Sequence, residues 1–225
     1  MTKAQKDKLL QLLDVVIENY IDKGDPIGSK FLHTLDDVDY APSTLRKYLN
    51  LLEQSGLVYQ PYNSSGRIPT IEWLSSYIDS YMSEESDYKM QTGFDTDMAR
   101  TSMRYMVEKL WSMVDGVVSW FLANDEYFYL GINNLLKNNP DDYNTTQHIV
   151  EFIESKEVID VLSKKMMRKW CVYYSFIDQA DTVMSCLYGK VSINNFDGVI
   201  SIIGPVRVNY KKNLGVLKRI VEQYG

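Results

Sequence analysis

The chain has 225 residues, 45% of them hydrophobic and 24% charged, with a formal net charge of −6. It is too apolar to be disordered, and no stretch reaches the ~18 uncharged apolar residues that would cross a bilayer. The acidic balance argues against non-specific coating of nucleic acid but leaves room for a local basic surface on a sequence reader. Two cysteines give neither a disulfide framework nor a zinc spacing, and Met1–Lys6 carries no signal-peptide core. A reducing cytoplasm is the expected compartment.

Thr2 and Gln5 have the spacing of a capping box, and Leu9, Leu13, Val16, Ile17 and Tyr20 recur at helical period. Lys23-Gly24-Asp25-Pro26 stops that helix, because Gly suits the position just past a helix and Pro cannot continue one. Gly28 to His33 opens a short second helix, and Asp36, Asp37 and Asp39 make a polar turn. Pro42 fits the first turn of a third helix, with Leu45, Leu49 and Leu52 as its buried stripe. Ser43, Arg46, Lys47 and Asn50 then share the opposite face. Gly56 ends the helix, Leu57–Gln60 reads as a strand, Asn63–Gly66 as a turn, and Arg67–Pro69 as a returning edge strand. Three helices followed by a small hairpin is the order of a winged helix-turn-helix. Thr70 caps a fourth helix carrying Leu74, Tyr77, Ile78, Tyr81 and Met82, and Ser83–Asp87 reads as an acidic linker.

The second half opens on a long amphipathic helix through Met103, Met106, Val107, Leu110, Trp111 and Val114, ended by Gly116. Val117–Leu122 and Tyr127–Leu130 flank Asn124-Asp125 as a hairpin. Asn139–Asp142 is a turn, and Ile149 to Leu162 holds one or two helices, with His148 at a helix start. Lys169–Ile177 reads as a strand and Met184–Gly189 as a weaker one. Val199–Ile203 has the all-apolar character of a central strand, broken at Gly204-Pro205. Leu214, Leu217, Ile220 and Val221 mark a last helix. The fold class expected is α+β, with residues 1–82 as a winged helix-turn-helix, 83–93 as linker and 94–225 as an α/β domain of about five strands with helices on one or both faces.

Catalytic chemistry finds little support, and neither a metal nor a cofactor is expected. His33 and His148 read as partly exposed or core-edge residues, Cys171 and Cys186 as buried thiols, and Asp141-Asp142 as a turn rather than a carboxylate pair. Nucleic-acid chemistry finds more. Arg and Lys pair with guanine acceptors, and Ser or Thr reach phosphates or base edges. Ser43, Thr44, Arg46, Lys47 and Asn50 supply those groups near a helix N-terminus, where backbone N–H groups also favour a phosphate. Arg67, after Ser65 and Gly66, is placed to reach a phosphate or a minor groove. Against this, residues 1–82 hold eight basic and eleven acidic residues, so binding needs the acids to point away from the third helix.

These runs resemble the heat-inducible transcription repressor HrcA family. The resemblance rests on Tyr20-Ile21, Gly24–Lys30, Ser43–Arg46, Leu52-Glu53, Gly56–Val58 and, most specifically, Ser64-Ser65-Gly66-Arg67-Ile68-Pro69-Thr70. In the second half, Tyr129–Leu136 and Gly198–Tyr210 look like that family's GAF-like domain. The resemblance implies a dimeric repressor that binds an inverted repeat, CIRCE, upstream of chaperone and chaperonin operons and releases it on heat stress. It also implies a GroEL-type chaperonin as a partner. By the same resemblance Ser43, Thr44, Arg46 and Lys47 lie in the recognition helix, and Ser65, Gly66 and Arg67 in the wing. Family members are longer, with an inserted domain between the segments equivalent to Trp120–Leu122 and Tyr127–Tyr129, so the second domain here reads as a reduced GAF-like one. A homodimer on double-stranded DNA, with no membrane, is the leading expectation. A regulator whose GAF-like half senses a small molecule is the alternative, followed by a protein-interaction module with a vestigial wing.

Overall fold

In the computed structural model the first helix, α1 (Lys3–Lys23), ends where glycine lets it. Gly24 adopts φ +76°, and its N–H donates to the Tyr20 carbonyl at 2.8 Å, closing the last turn. The described residues are 3–82, 103–122, 127–138, 142–165, 172–179, 182–193 and 196–224. Thr2 of the capping box, the 83–93 linker, the Asn124-Asp125 turn, Pro140-Asp141 and Cys171 lie outside them. The chain divides into two units, Met1–Tyr81 and Met82–Gly225.

In the first unit, Leu9, Leu12, Leu13, Val16 and Ile17 of α1 are buried with Leu45, Leu49 and Leu52 of a later helix. A four-residue helix, α2 (Ser29–Leu32), follows Gly28 and leads through the polar turn to α3 (Pro42–Gln54). α3 ends in a Schellman motif: the Leu57 N–H reaches the Leu52 carbonyl (3.1 Å) and the Gly56 N–H that of Glu53 (2.9 Å), with Gly56 at φ +70°. Strands β1 (Val58–Tyr59) and β2 (Ile68–Pro69) pair antiparallel, Val58 opposite Pro69. Ile27 adds a single antiparallel bridge to Arg67, with two hydrogen bonds of 2.9 Å. Thr70 stands before α4 (Ile71–Met82), but its hydroxyl donates to the Gly56 (3.1 Å) and Leu57 (3.3 Å) carbonyls instead of capping. It fastens the returning strand to the end of α3.

The second unit is α+β. Its five strands form one antiparallel sheet in the order β4-β3-β7-β6-β5. These are β3 (Val117–Leu122), β4 (Tyr127–Leu130), β5 (Val172–Gln179), β6 (Thr182–Ile193) and β7 (Phe196–Pro205). β7 is central, as its apolar run requires. It continues through Gly204 to Pro205, paired with Ser185 and Met184, because a proline at a strand's last position leaves the ladder intact. β6 is twice as long as its weak alternation suggests, since pairing to β5 and β7 on both sides sets its length. Helices α6 (Ile132–Asn138), α7 (Tyr143–Glu154) and α8 (Glu157–Lys165) share one core with Val117, Phe121, Cys186, Val199 and Ile203. The alternate residues Val118, Trp120, Leu187, Ile200 and Ile202 are buried on the other face, where α9 (Tyr210–Tyr224) lies against β6 and β5.

Two further local expectations are corrected. The helix α5 (Met103–Leu110) stops at Leu110, and Trp111–Gly116 is a turn. The Asn134 amide takes up the carbonyls of Trp111 (2.7 Å), Val114 (3.2 Å) and Gly116 (3.3 Å), so the helix need not continue. Asn213 holds the same turn from the far side, exchanging hydrogen bonds with the Asp115 backbone at 3.0 and 2.9 Å. His148 sits inside α7 rather than at its start, with Nδ1 on the Thr182 hydroxyl. Asp142 caps that helix, accepting from the Thr145 N–H at 3.1 Å.

Candidate nucleic-acid interface

α3 presents one face to its own unit and the other to solvent. Leu45, Leu49 and Leu52 are at most 4% exposed. Ser43, Arg46, Lys47 and Asn50 are exposed, and Thr44 is half-buried beside them. The alternation follows from 3.6-residue periodicity acting on this sequence. Among the described residues, no hydrogen bond or ion pair engages the charged ends of Arg46 or Lys47. Ala41 precedes α3 and offers no side-chain cap, so the first-turn N–H groups of Ser43 and Thr44 are left for an outside acceptor. Two cations, a hydroxyl, an amide and an uncapped helix N-terminus therefore share one surface. That is a surface suited to phosphates and base edges.

Residues 64–67, which the sequence reading assigns to a wing, are used differently. Ser65 turns inward: its hydroxyl donates to the Gly66 carbonyl (3.1 Å) and accepts from the Tyr62 N–H (3.4 Å). Ser64 before it takes φ +65°. Gly66 packs so tightly against Pro26-Ile27 that a Cβ would lie 2.4 Å from the Ile27 carbonyl carbon. Arg67, read from sequence as a group reaching outward, folds back on α3. Its side chain is 12% exposed and pairs with Glu53, Nη2 to Oε2, at 2.8 Å. Nη2 also donates to Asn50 Oδ1 at 3.2 Å.

The structure thus brings Asn50, Ser65, Gly66 and Arg67 together, with Ser43, Thr44, Arg46 and Lys47 further along α3 towards its start. Sequence reasoning missed Glu53. The available signal was its i+3 spacing from Asn50, which places a carboxylate beside the exposed face of α3. It also passed over Tyr59 and Tyr62, 46% and 64% exposed around the turn. Among the described residues, no group of histidine, cysteine and carboxylate side chains is placed to hold a metal.

The model of the HrcA protein C-terminal domain matches residues 63–214, two thirds of the chain, beginning within the β1–β2 turn. This chain belongs to the HrcA family. It is 31% identical over 130 residues to the heat-inducible transcription repressor HrcA of Chelativorans sp. (strain BNC1), a match covering 52% of the chain and 36% of that relative. With HrcA of Thermosynechococcus vestitus it shares 38% identity over 79 residues, 35% of the chain and 22% of the relative. The match thus spans little more than a third of the length of the first and less of the second. A crystal structure of a hypothetical protein superposes with a TM-score of 0.71 over 96% of each chain at 14% identity. That likeness is one of fold alone.

Proposed function

We propose that this HrcA-family chain is a cytoplasmic repressor of heat-shock genes that reads a CIRCE-type inverted repeat on double-stranded DNA as a homodimer and releases it on heating. The observation that carries the reading is the exposed Ser43–Arg46–Lys47–Asn50 face of α3, whose neighbouring acid, Glu53, is cancelled by Arg67. Residues 1–82 then act as a winged helix-turn-helix. α3 lies in the major groove, Ser43 and Thr44 take phosphates at its N-terminus, and the Ser65-Gly66-Arg67 wing stands beside it. The bridge of Ile27 to the β1–β2 pair supports a wing built as a small sheet. The overall acidity of this region is no obstacle where the acids face away from α3.

The second unit, a sheet between two helical layers, supports the reduced GAF-like reading, and dimerisation is assigned to it. A two-fold dimer presents two identical recognition helices, as an inverted repeat demands. A GroEL-type chaperonin is the partner that the resemblance to the family implies. The test is fluorescence anisotropy with a labelled inverted-repeat duplex, a scrambled duplex and a salt series. A specific-to-scrambled ratio of ~10³ or more supports the reading, and equal weak binding to both refutes it.

One observation favours the ligand-sensing alternative: an open apolar hollow of about 270 Å³ lined by Trp111, Tyr129, Leu130, Gly131, Ile132 and Asn133. A thermal-shift screen of metabolites tests it, because a ligand at a hundred times its Kd adds ~2.7 kcal/mol.

A further inference from the structure

We infer that Arg67 is a positioning residue and not a DNA contact: it cancels Glu53 and turns Asn50 so that only amide donors face the DNA. The inference rests on the DNA-reading proposal above. A guanidinium has three nitrogens, and here all three are turned to the protein. Nε and Nη2 donate to the same Glu53 oxygen at 3.0 and 2.8 Å. Nη2 also reaches Asn50 Oδ1 at 3.2 Å, and Nη1 lies 3.4 and 3.5 Å from the Gly66 and Ser65 carbonyls. The Arg67 backbone is held by Ile27 through both its N–H and its carbonyl. For the side chain to reach a phosphate it would have to abandon Glu53, the sole acid of α3, on the surface that receives DNA.

The consequence for Asn50 is chemical. A free asparagine offers one acceptor and one donor group, and reads adenine through both. With Oδ1 accepting from Arg67, the branch of Asn50 left for an outside partner is Nδ2, which only donates. Such a group fits an acceptor edge, guanine N7 and O6, or a phosphate oxygen. It does not fit the mixed edge of adenine. The sequence places Asn50 one turn beyond Arg46 and Lys47, so the three together form a donor-only face.

The experiment uses the full chain, the labelled inverted-repeat duplex and a salt series, with a thermal melt of each variant. Arg67→Gln should weaken binding by ~10-fold or more, because it uncovers the Glu53 charge. Arg67→Gln combined with Glu53→Gln removes the pair as a neutral unit. It should return affinity to within ~3-fold of wild type, about 0.65 kcal/mol, with the wild-type salt slope. If Arg67 instead holds a phosphate, the double variant stays as weak as the single one and its salt slope falls by ~0.9, which overturns the inference. An Arg67→Gln variant that binds like wild type overturns it as well.

Asn50→Ala keeps the inference falsifiable even where Arg67→Gln melts, since Asn50 is exposed. It should relax one position per half-site at a G·C pair, or weaken all sequences alike as loss of a phosphate donor does. Relaxation at an A·T pair refutes the donor-only face. A wild-type chain that does not prefer the repeat over the scrambled duplex fells the DNA reading, and the inference with it.

Discussion

Replacing Gly66 with alanine should destabilise the first unit more than any substitution on the exposed face of α3. The added Cβ would sit 2.4 Å from the Ile27 carbonyl carbon and 2.5 Å from both the carbonyl carbon and oxygen of Pro26. All three are backbone atoms, so no side chain can swing aside. Ordinary contact begins at 3.4 Å, which means the two segments must part by about 1 Å. That separation strains or breaks the paired 2.9 Å hydrogen bonds between Ile27 and Arg67. Overpacking costs ~1–3 kcal/mol, and two weakened hydrogen bonds add ~1 kcal/mol each, giving ~3–5 kcal/mol. For a unit of this size the melting temperature falls by at least ~12 °C. Gly28 is the control: an added Cβ there meets only Gly66 Cα, at 4.0 Å, and Gly28→Ala should cost under ~1 kcal/mol. Urea unfolding gives the totals, and amide exchange at Ile27 and Arg67 localises the effect. If Gly66→Ala lies within ~1 kcal/mol of wild type, or Gly28→Ala costs as much, the close-packed junction is refuted.

Three further outcomes follow from the same geometry. Arg46→Ala should cost ~1–3 kcal/mol in specific DNA binding while leaving the melting temperature nearly unchanged, since the side chain is exposed; anisotropy and calorimetry together check this. Asn213→Ala strands the Asp115 N–H and carbonyl at once and should destabilise the second unit by ~2–4 kcal/mol in denaturant titration. The Lys190 ammonium, hydrogen-bonded to Asp197, holds that carboxyl below the usual range, helped by Ser192. This small stabilisation is present above the unfolded pKa of ~3.9 and is lost as pH falls through the lower folded value. Lys190→Met should therefore raise the Asp197 pKa in a carbon-detected NMR titration, and an unmoved titration would contradict the pairing.

Local rules made much of this chain legible. The leucine stripe of α3 is a three-and-four spacing, and burial follows it position by position. Gly24 and Gly56 mark helix ends because they hold left-handed φ values, which the sequence signals directly. The Val199–Ile203 run becomes the central strand because both faces are covered. The reading failed where the deciding partner is remote. α5 stops early because Asn134, more than twenty residues away, collects the carbonyls of the turn. Gly66 looked like turn chemistry, yet its constraint comes from Pro26-Ile27. Arg67 reads as a free cation until Glu53, fourteen residues earlier, captures it. Position along a helix is periodic and local, whereas the direction of a long side chain is set by charges that only folding brings near.

The division has a bearing on what family membership carries. The runs that make this chain recognisable, Gly24–Lys30 and Ser64–Thr70, lie far apart in sequence and meet in the fold. Ile27 bridges Arg67, Gly66 fits against Pro26, and Thr70 bonds the end of α3. Each of those contacts is internal, so the resemblance reports on the frame that holds α3 against the β1–β2 pair. On the proposed reading the groups left to meet DNA are others: the exposed Ser43, Arg46, Lys47 and Asn50. Exposed substitutions there cost the fold little, while each base contact they change is worth ~1–3 kcal/mol of discrimination. On the same reading the frame can stay constant while those contacts change. Pro42 removes a backbone donor at the start of α3, and Lys47 adds a charge on its exposed face.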